Sequence, residues 1–196
     1  MSLSEILRDL CDQTHEAEDF GALIARFGPR AFGALLFLFA APNLLPLPPG
    51  SSTFLGAPLL LFAPQLALGV ASPWMPARLR RQRLDMGPLR GAFLKLVPWV
   101  EQVELISSAR LTFLFGPVGD RLIGLACTIL AFVLMLPLPL GNLLPAVAIS
   151  LFALALVQRD GVLALAGYVV TAISLGVLAL AAGVIHRLFV AAVSGF

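Results

Sequence analysis

Hydrophobic positions in this chain come in long blocks rather than in strict alternation. Residues 31–47, 54–71, 122–138, 143–157 and 161–183 contain no Asp, Glu, Lys or Arg. Blocks of this length without charge predict helices that bury themselves in lipid. Shorter segments of helical periodicity lie between them. Leu3, Ile6, Leu7 and Leu10 fall on one side of a helix with Glu5 and Asp9 opposite, the pattern of an amphipathic helix lying on a surface. Leu89, Phe93, Leu96, Val100 and Val103 predict a second such helix, bent at Pro98.

Proline and glycine punctuate the blocks. Pro46-Leu47-Pro48-Pro49-Gly50 separates the first pair, and Pro137 with Pro139-Leu140-Gly141-Asn142 separates the second. Each proline removes a backbone donor and pushes the preceding residue toward an extended shape, so neither elbow continues a helix. The pattern therefore predicts two broken helical hairpins. Laying the chain on itself with an offset of 91 residues places Gly28, Arg30 and Gly33 on Gly119, Arg121 and Gly124. The same offset, without a gap, places Pro46, Leu47, Pro48 and Gly50 on Pro137, Leu138, Pro139 and Gly141. Matched arginines, glycines and prolines at fixed spacing predict an internal repeat.

The expected architecture is an all-α integral membrane protein with two repeated hairpins, each preceded by an amphipathic helix, and a C-terminal transmembrane helix. It forms one membrane domain of five parts: an amphipathic, acidic segment (1–27), the first hairpin (28–71), a basic loop with its amphipathic helix (72–117), the second hairpin (118–160) and the C-terminal helix (161–196). Composition agrees. The chain is 59% hydrophobic and 12% charged, with a mean hydropathy of +0.96, about half the charge of an ordinary soluble domain. Twelve arginines and one lysine supply the basic charge, and Arg78, Arg80, Arg81, Arg83, Arg90 and Lys95 cluster in the central loop. The positive-inside rule places that loop in the cytoplasm, and Arg8, Arg26 and Arg30 place the start of the first hairpin there too. Six acids in the first 28 residues, without a basic-then-apolar run, exclude a cleavable signal peptide as the expectation.

The arms hold about 15 to 18 apolar residues, short of the roughly 20 of a full span. Two geometries follow. The elbows either dip into the membrane as re-entrant turns buried in protein, or they are tight turns outside it. After each elbow a helix is expected to start at residue types that cap helix N-termini, Ser51-Ser52-Thr53 and Asn142. Two helix N-termini aimed at one point favour an anion. The candidate substrate-binding residues are therefore Pro46, Pro48, Gly50, Ser51, Ser52, Pro137, Pro139, Gly141 and Asn142, with the matched Arg30 and Arg121 either contacting the anion or anchoring their helices at the interface. Asn43 lines a path or satisfies exposed backbone. Among the acids, only Asp120 and Asp160, at segment ends, stand near the arms.

Other chemistry is thin. Cys11 and Cys127 are far apart, and His15 and His186 are isolated, so no metal site and no cofactor are expected. There is no nucleophile–base pair, paired carboxylates or phosphate loop, and an enzyme is not expected. Ala172, Gly176, Ala179 and Gly183 form a small-residue stripe on the last helix that allows close packing, within the monomer or in a homodimer.

Gly28-Pro29-Arg30-Ala31-Phe32-Gly33, the elbow at 46–50, the element from Pro137 to Pro145, and Arg159-Asp160-Gly161 together resemble the ExoD family of bacterial membrane proteins. One departure is Pro49, which stands where the second copy has Leu140. The resemblance implies a role in exopolysaccharide synthesis in the inner membrane of a Gram-negative bacterium, and it assigns no mechanism or catalytic residue. The expected function is a multi-pass inner-membrane protein that supports exopolysaccharide production by binding or moving an anionic solute or lipid phosphate. The alternative is a non-transporting scaffold or regulator of the polysaccharide machinery. Membrane lipids are the expected partners, with synthesis proteins as further candidates. Nucleic acid is not expected.

Overall fold

A computed structural model describes residues 30–45, 51–76, 111–136 and 142–194, with separate positions between 91 and 105. The N-terminal amphipathic segment, the arginine cluster at 78–83 and both elbows, 46–50 and 137–141, lie outside the described residues, as does most of the second amphipathic helix. Ser51 and Ser52 open a helix.

The described residues form helices and no strand. Helix α1 runs Ala31–Ala40 and passes into a 3-10 turn, Ala41–Leu44; α2 runs Ser51–Ala67, α3 Pro117–Met135, α4 Leu143–Gln158 and α5 Gly161–Ser194, with a 3-10 turn at Thr112–Leu114 ahead of α3. The predicted arms are thus all helical, with shifted ends. The first arm tightens at Pro42 instead of continuing to Leu47. The third starts five residues earlier than its apolar block (Pro117 instead of Leu122), because proline suits the first helical turn. That shift brings Asp120 and Arg121 into the helix.

It also revises the expectation that all four arms are short. At 19 residues α3 is about 28 Å long, enough to cross a hydrocarbon core of about 30 Å with little mismatch. Two helical segments, Pro117–Met135 and Gly161–Val184, are long and apolar enough to cross a membrane.

The four arms pack in a ring. Helix α1 lies against α2 and α4, and α3 lies against α2 and α4, while α5 covers α4. Two glycines set the closest approaches, and they are the pair matched by the 91-residue offset. A side chain at Gly33 would collide with the Ala153 carbonyl oxygen and Val157 of α4. One at Gly124 would collide with the Leu66–Ala67 backbone of α2. Close backbone contact of this kind is how helices gain packing energy in lipid, where apolar side chains have no solvent to escape. Phe39 stacks on Phe62 between α1 and α2, with ring centroids 6.4 Å apart. Phe152 meets Tyr168 edge to face at 4.8 Å between α4 and α5.

The outside of this ring is as apolar as its core. Leu122, Leu125, Ile129 and Phe132 are exposed along one stripe of α3, and Val162, Leu165, Val169, Ile173, Val177, Leu180 and Val184 along one stripe of α5. The α5 stripe covers about 33 Å at the helical rise. Exposed apolar surface of that extent marks contact with lipid or protein rather than water. Ala172, Gly176, Ala179 and Gly183 are exposed as well, with open space around Gly176 and Gly183. The small-residue stripe is therefore not used for packing among the described residues.

The Arg159-Asp160-Gly161 element is a sharp corner between α4 and α5. Arg159 takes a left-handed backbone (φ 55°) that ends α4. The Asp160 Oδ1 then accepts the Val162 N–H at 2.9 Å, capping α5. A side chain at Gly161 would strike Leu111.

Candidate functional site: an arginine cleft at the open ends of the hairpins

The starts of α1 and α3 and the ends of α2 and α4 meet at one end of the ring. Between them lies a cleft of about 410 Å³. Its lining includes Arg30 from the start of α1, Asp120 and Arg121 from the first turns of α3, Arg159 from the end of α4, and Leu66, Gly69, Val70 and Ala71 from the end of α2. Among the described lining residues, three arginines thus share the cleft with one carboxylate.

Each is placed by its helix end. Arg30 stands in the N-cap position of α1 and makes no side-chain capping bond there. Arg121 lies against Gly69, where an added Cβ would come within 2.6 Å of its Nε. Gly69 fits because α2 closes on it in a left-handed turn (φ 77°), with the Gly69 N–H bonded to the Leu66 carbonyl and the Val70 N–H to the Gln65 carbonyl. Arg159 is set by its own left-handed turn. Its guanidinium carbon lies 5.7 Å over the Phe115 ring, and its Nη1 is 3.8 Å from Asp120 Oδ2. The other carboxylate oxygen, Asp120 Oδ1, is buried without a hydrogen-bond partner among the described residues.

Helix N-termini carry positive partial charge and attract acids, and α3 holds Asp120 in its first turn, while the Arg121 guanidinium reaches the C-terminal turn of α2 at Gly69. Three arginines around one acid leave the cleft net positive, and such a place suits a phosphate, sulfate or carboxylate. Beside it, the chain after α2 is tied down. Gln65 donates from Nε2 to the Leu61 and Trp74 carbonyls, each at 2.8 Å, and its Oε1 accepts the Trp74 N–H at 2.6 Å. Trp74 itself is exposed, as an aromatic residue at a membrane–water interface is.

Of the residues expected at a site, Arg30 and Arg121 are brought together. Pro46, Pro48, Gly50, Pro137, Pro139 and Gly141 lie outside the described residues. Asn142 precedes α4, yet its side chain forms no capping bond and its Oδ1 is buried and unpaired. Asn43 Nδ2 donates to the Phe39 carbonyl at 2.9 Å, and its Oδ1 is likewise unpaired. Sequence reasoning missed Gly69 and Arg159 as site residues. Glycine directly after an apolar helical run signals a left-handed cap, which locates Gly69. For Arg159, the signal was the Arg-Asp-Gly element itself.

Comparison with known proteins gives the family. The family model described as "Exopolysaccharide synthesis, ExoD" matches residues 3–180. Protein ExoD of Rhizobium meliloti is 33% identical over 151 residues, covering 74% of this chain and 62% of that protein. An uncharacterized protein of Synechocystis sp. is 30% identical over 142 residues, covering 71% of this chain and 67% of its own length. No solved structure matches. With a family match over most of its length and helices of membrane-spanning character, the chain belongs to the exopolysaccharide synthesis family ExoD.

Proposed function

We propose that this protein is a multi-pass protein of the bacterial inner membrane that supports exopolysaccharide synthesis by binding an oxyanion in the arginine cleft. The ligand is the phosphate of a lipid or lipid-linked intermediate, or a free inorganic anion. One observation carries the reading: Arg30 and Arg121, matched between the two hairpins, line one cleft together with Arg159. Gly33 and Gly124 support a repeat behind it, since each seats the first arm of one hairpin against the second arm of the other. The repeat then runs in one direction, with both hairpins opening at the same end. The anion site moves accordingly from the elbows to the opposite, open ends. Positive-inside placement of the basic loop puts those ends at the cytoplasmic face, within reach of headgroup phosphates.

Complementation tests the reading. In an exopolysaccharide-producing bacterium lacking its own copy, wild type restores polymer. Arg30→Ala/Arg121→Ala reaches the membrane at normal level and does not restore it. Full restoration by the double variant overturns the reading. The exposed stripe of α5 favours a second role, a lipid-embedded surface for a second copy or for synthesis proteins. Under that scaffold reading, Gly176→Leu and Gly183→Leu abolish polymer while the arginine variants do not.

A further inference from the structure

Among the described residues, Asp120 is the one acid lining a cleft otherwise suited to anions. A carboxylate in the first turns of a helix ordinarily spends its oxygens on backbone N–H groups, as Asp160 does at the start of α5. Asp120 does not. Oδ2 stands 3.8 Å from Arg159 Nη1, and Oδ1 is buried without a partner among the described residues. The carboxylate is therefore held as a resident counter-charge in the space an anion would enter. Resting on the oxyanion reading of the cleft, we propose that the site takes up its oxyanion together with one proton, carried on Asp120.

The balance is simple. An incoming oxyanion meets three guanidinium groups and one like charge. A proton from water binds the Asp120 carboxylate, removes the repulsion and turns an unpaired acceptor into an O–H donor for the ligand. No other bond forms or breaks. The charged groups lining the cleft beside it are Arg30 from α1, Arg159 from α4 and Arg121 from its own helix, while the end of α2 contributes uncharged residues. Arginines keep their charge throughout the accessible range, and Asp160 is turned into the α4–α5 corner. Asp120 is thus the titrating group among the described lining residues. The sign follows: a site that gains a proton with its ligand binds more tightly as pH falls, and affinity levels off once Asp120 is protonated in the free protein.

Calorimetry on the purified full chain, from about pH 5 to about pH 8 in buffers of differing protonation heat, tests this. The two probes are sulfate and dihexanoyl phosphatidylglycerol, whose charges are fixed over that range. Wild type is expected to take up as much as one proton per ligand and to tighten by as much as tenfold per unit fall in pH. Asp120→Asn is expected to bind with pH-independent affinity and no proton uptake. Tighter binding of sulfate marks a free anion as the ligand, and tighter binding of the lipid marks a headgroup. Binding by wild type without proton uptake overturns the inference and leaves the cleft reading intact, as does an unchanged pH dependence in Asp120→Asn. If neither probe binds wild type at any pH, the cleft reading itself falls, and the inference with it.

Discussion

At Gly69 the backbone turns left-handed directly against the Arg121 guanidinium, so one glycine both ends α2 and leaves room for a cleft arginine. Gly69→Ala places a Cβ where both are opposed. A left-handed alanine costs about 1 kcal/mol, and the Arg121 side chain has to shift. The expected result is a lower thermal midpoint in detergent together with weaker anion binding. Arg159 gives the converse. It holds a left-handed backbone without being glycine, so Arg159→Gly relieves about 1 kcal/mol of backbone strain. Its ion pair with Asp120 joins an exposed guanidinium to a partly buried carboxylate at 3.8 Å and returns little. Unchanged or raised thermal stability, with loss of anion affinity, is expected from paired melting and binding measurements. A residue kept only for the corner would give the opposite outcome.

Among the elements, the closest packing runs between hairpins rather than within them. Gly33→Leu and Gly124→Leu each force a side chain into the backbone of a facing helix. Overpacking of this kind typically costs 1–3 kcal/mol, and direct backbone collision lies at the upper end of that range. Both variants should show lowered melting points and raised protease sensitivity in detergent, with Gly176→Leu, in open space, as the neutral control. Asp160→Ala removes the α5 cap and should destabilise by about 1 kcal/mol, read as a shift in thermal midpoint. The elements themselves were legible in the sequence, because five uncharged blocks and two proline elbows leave few alternatives. Their ends were less so. Pro117 lies outside the apolar block that begins at Leu122 yet starts its helix, since a first-turn proline loses no hydrogen bond, and charge in the next turn hid the extension from a reading based on hydropathy. The offset drew attention to Arg30 and Arg121. It gave no sign that Arg159 joins them, because its partner at position 68 is Leu68 and only the left-handed corner turns it into the cleft.

Taken whole, the described residues form a ring of four arms with one long helix on its flank, and Arg30, Asp120, Arg121 and Arg159 gather at the open ends of the hairpins. That distribution follows from the solvent. Charge is expensive at membrane depth and collects where water returns, so the proposed membrane placement sets Arg30, Asp120, Arg121 and Arg159 at the level of the interface. Topology is therefore testable. A single cysteine at Ala71, after replacement of Cys11 and Cys127, should react with a membrane-impermeant thiol reagent from the cytoplasmic side only. The most direct test of the account is equilibrium binding of an oxyanion by the purified protein, with dihexanoyl phosphatidylglycerol and sulfate as ligands, in wild type and Arg121→Ala. Loss of one charge-assisted contact of about 1.5–3 kcal/mol predicts roughly 10- to 100-fold weaker binding, with a salt dependence shallower than that of wild type. Equal affinity in the two proteins would contradict an anion site at the arginine cleft.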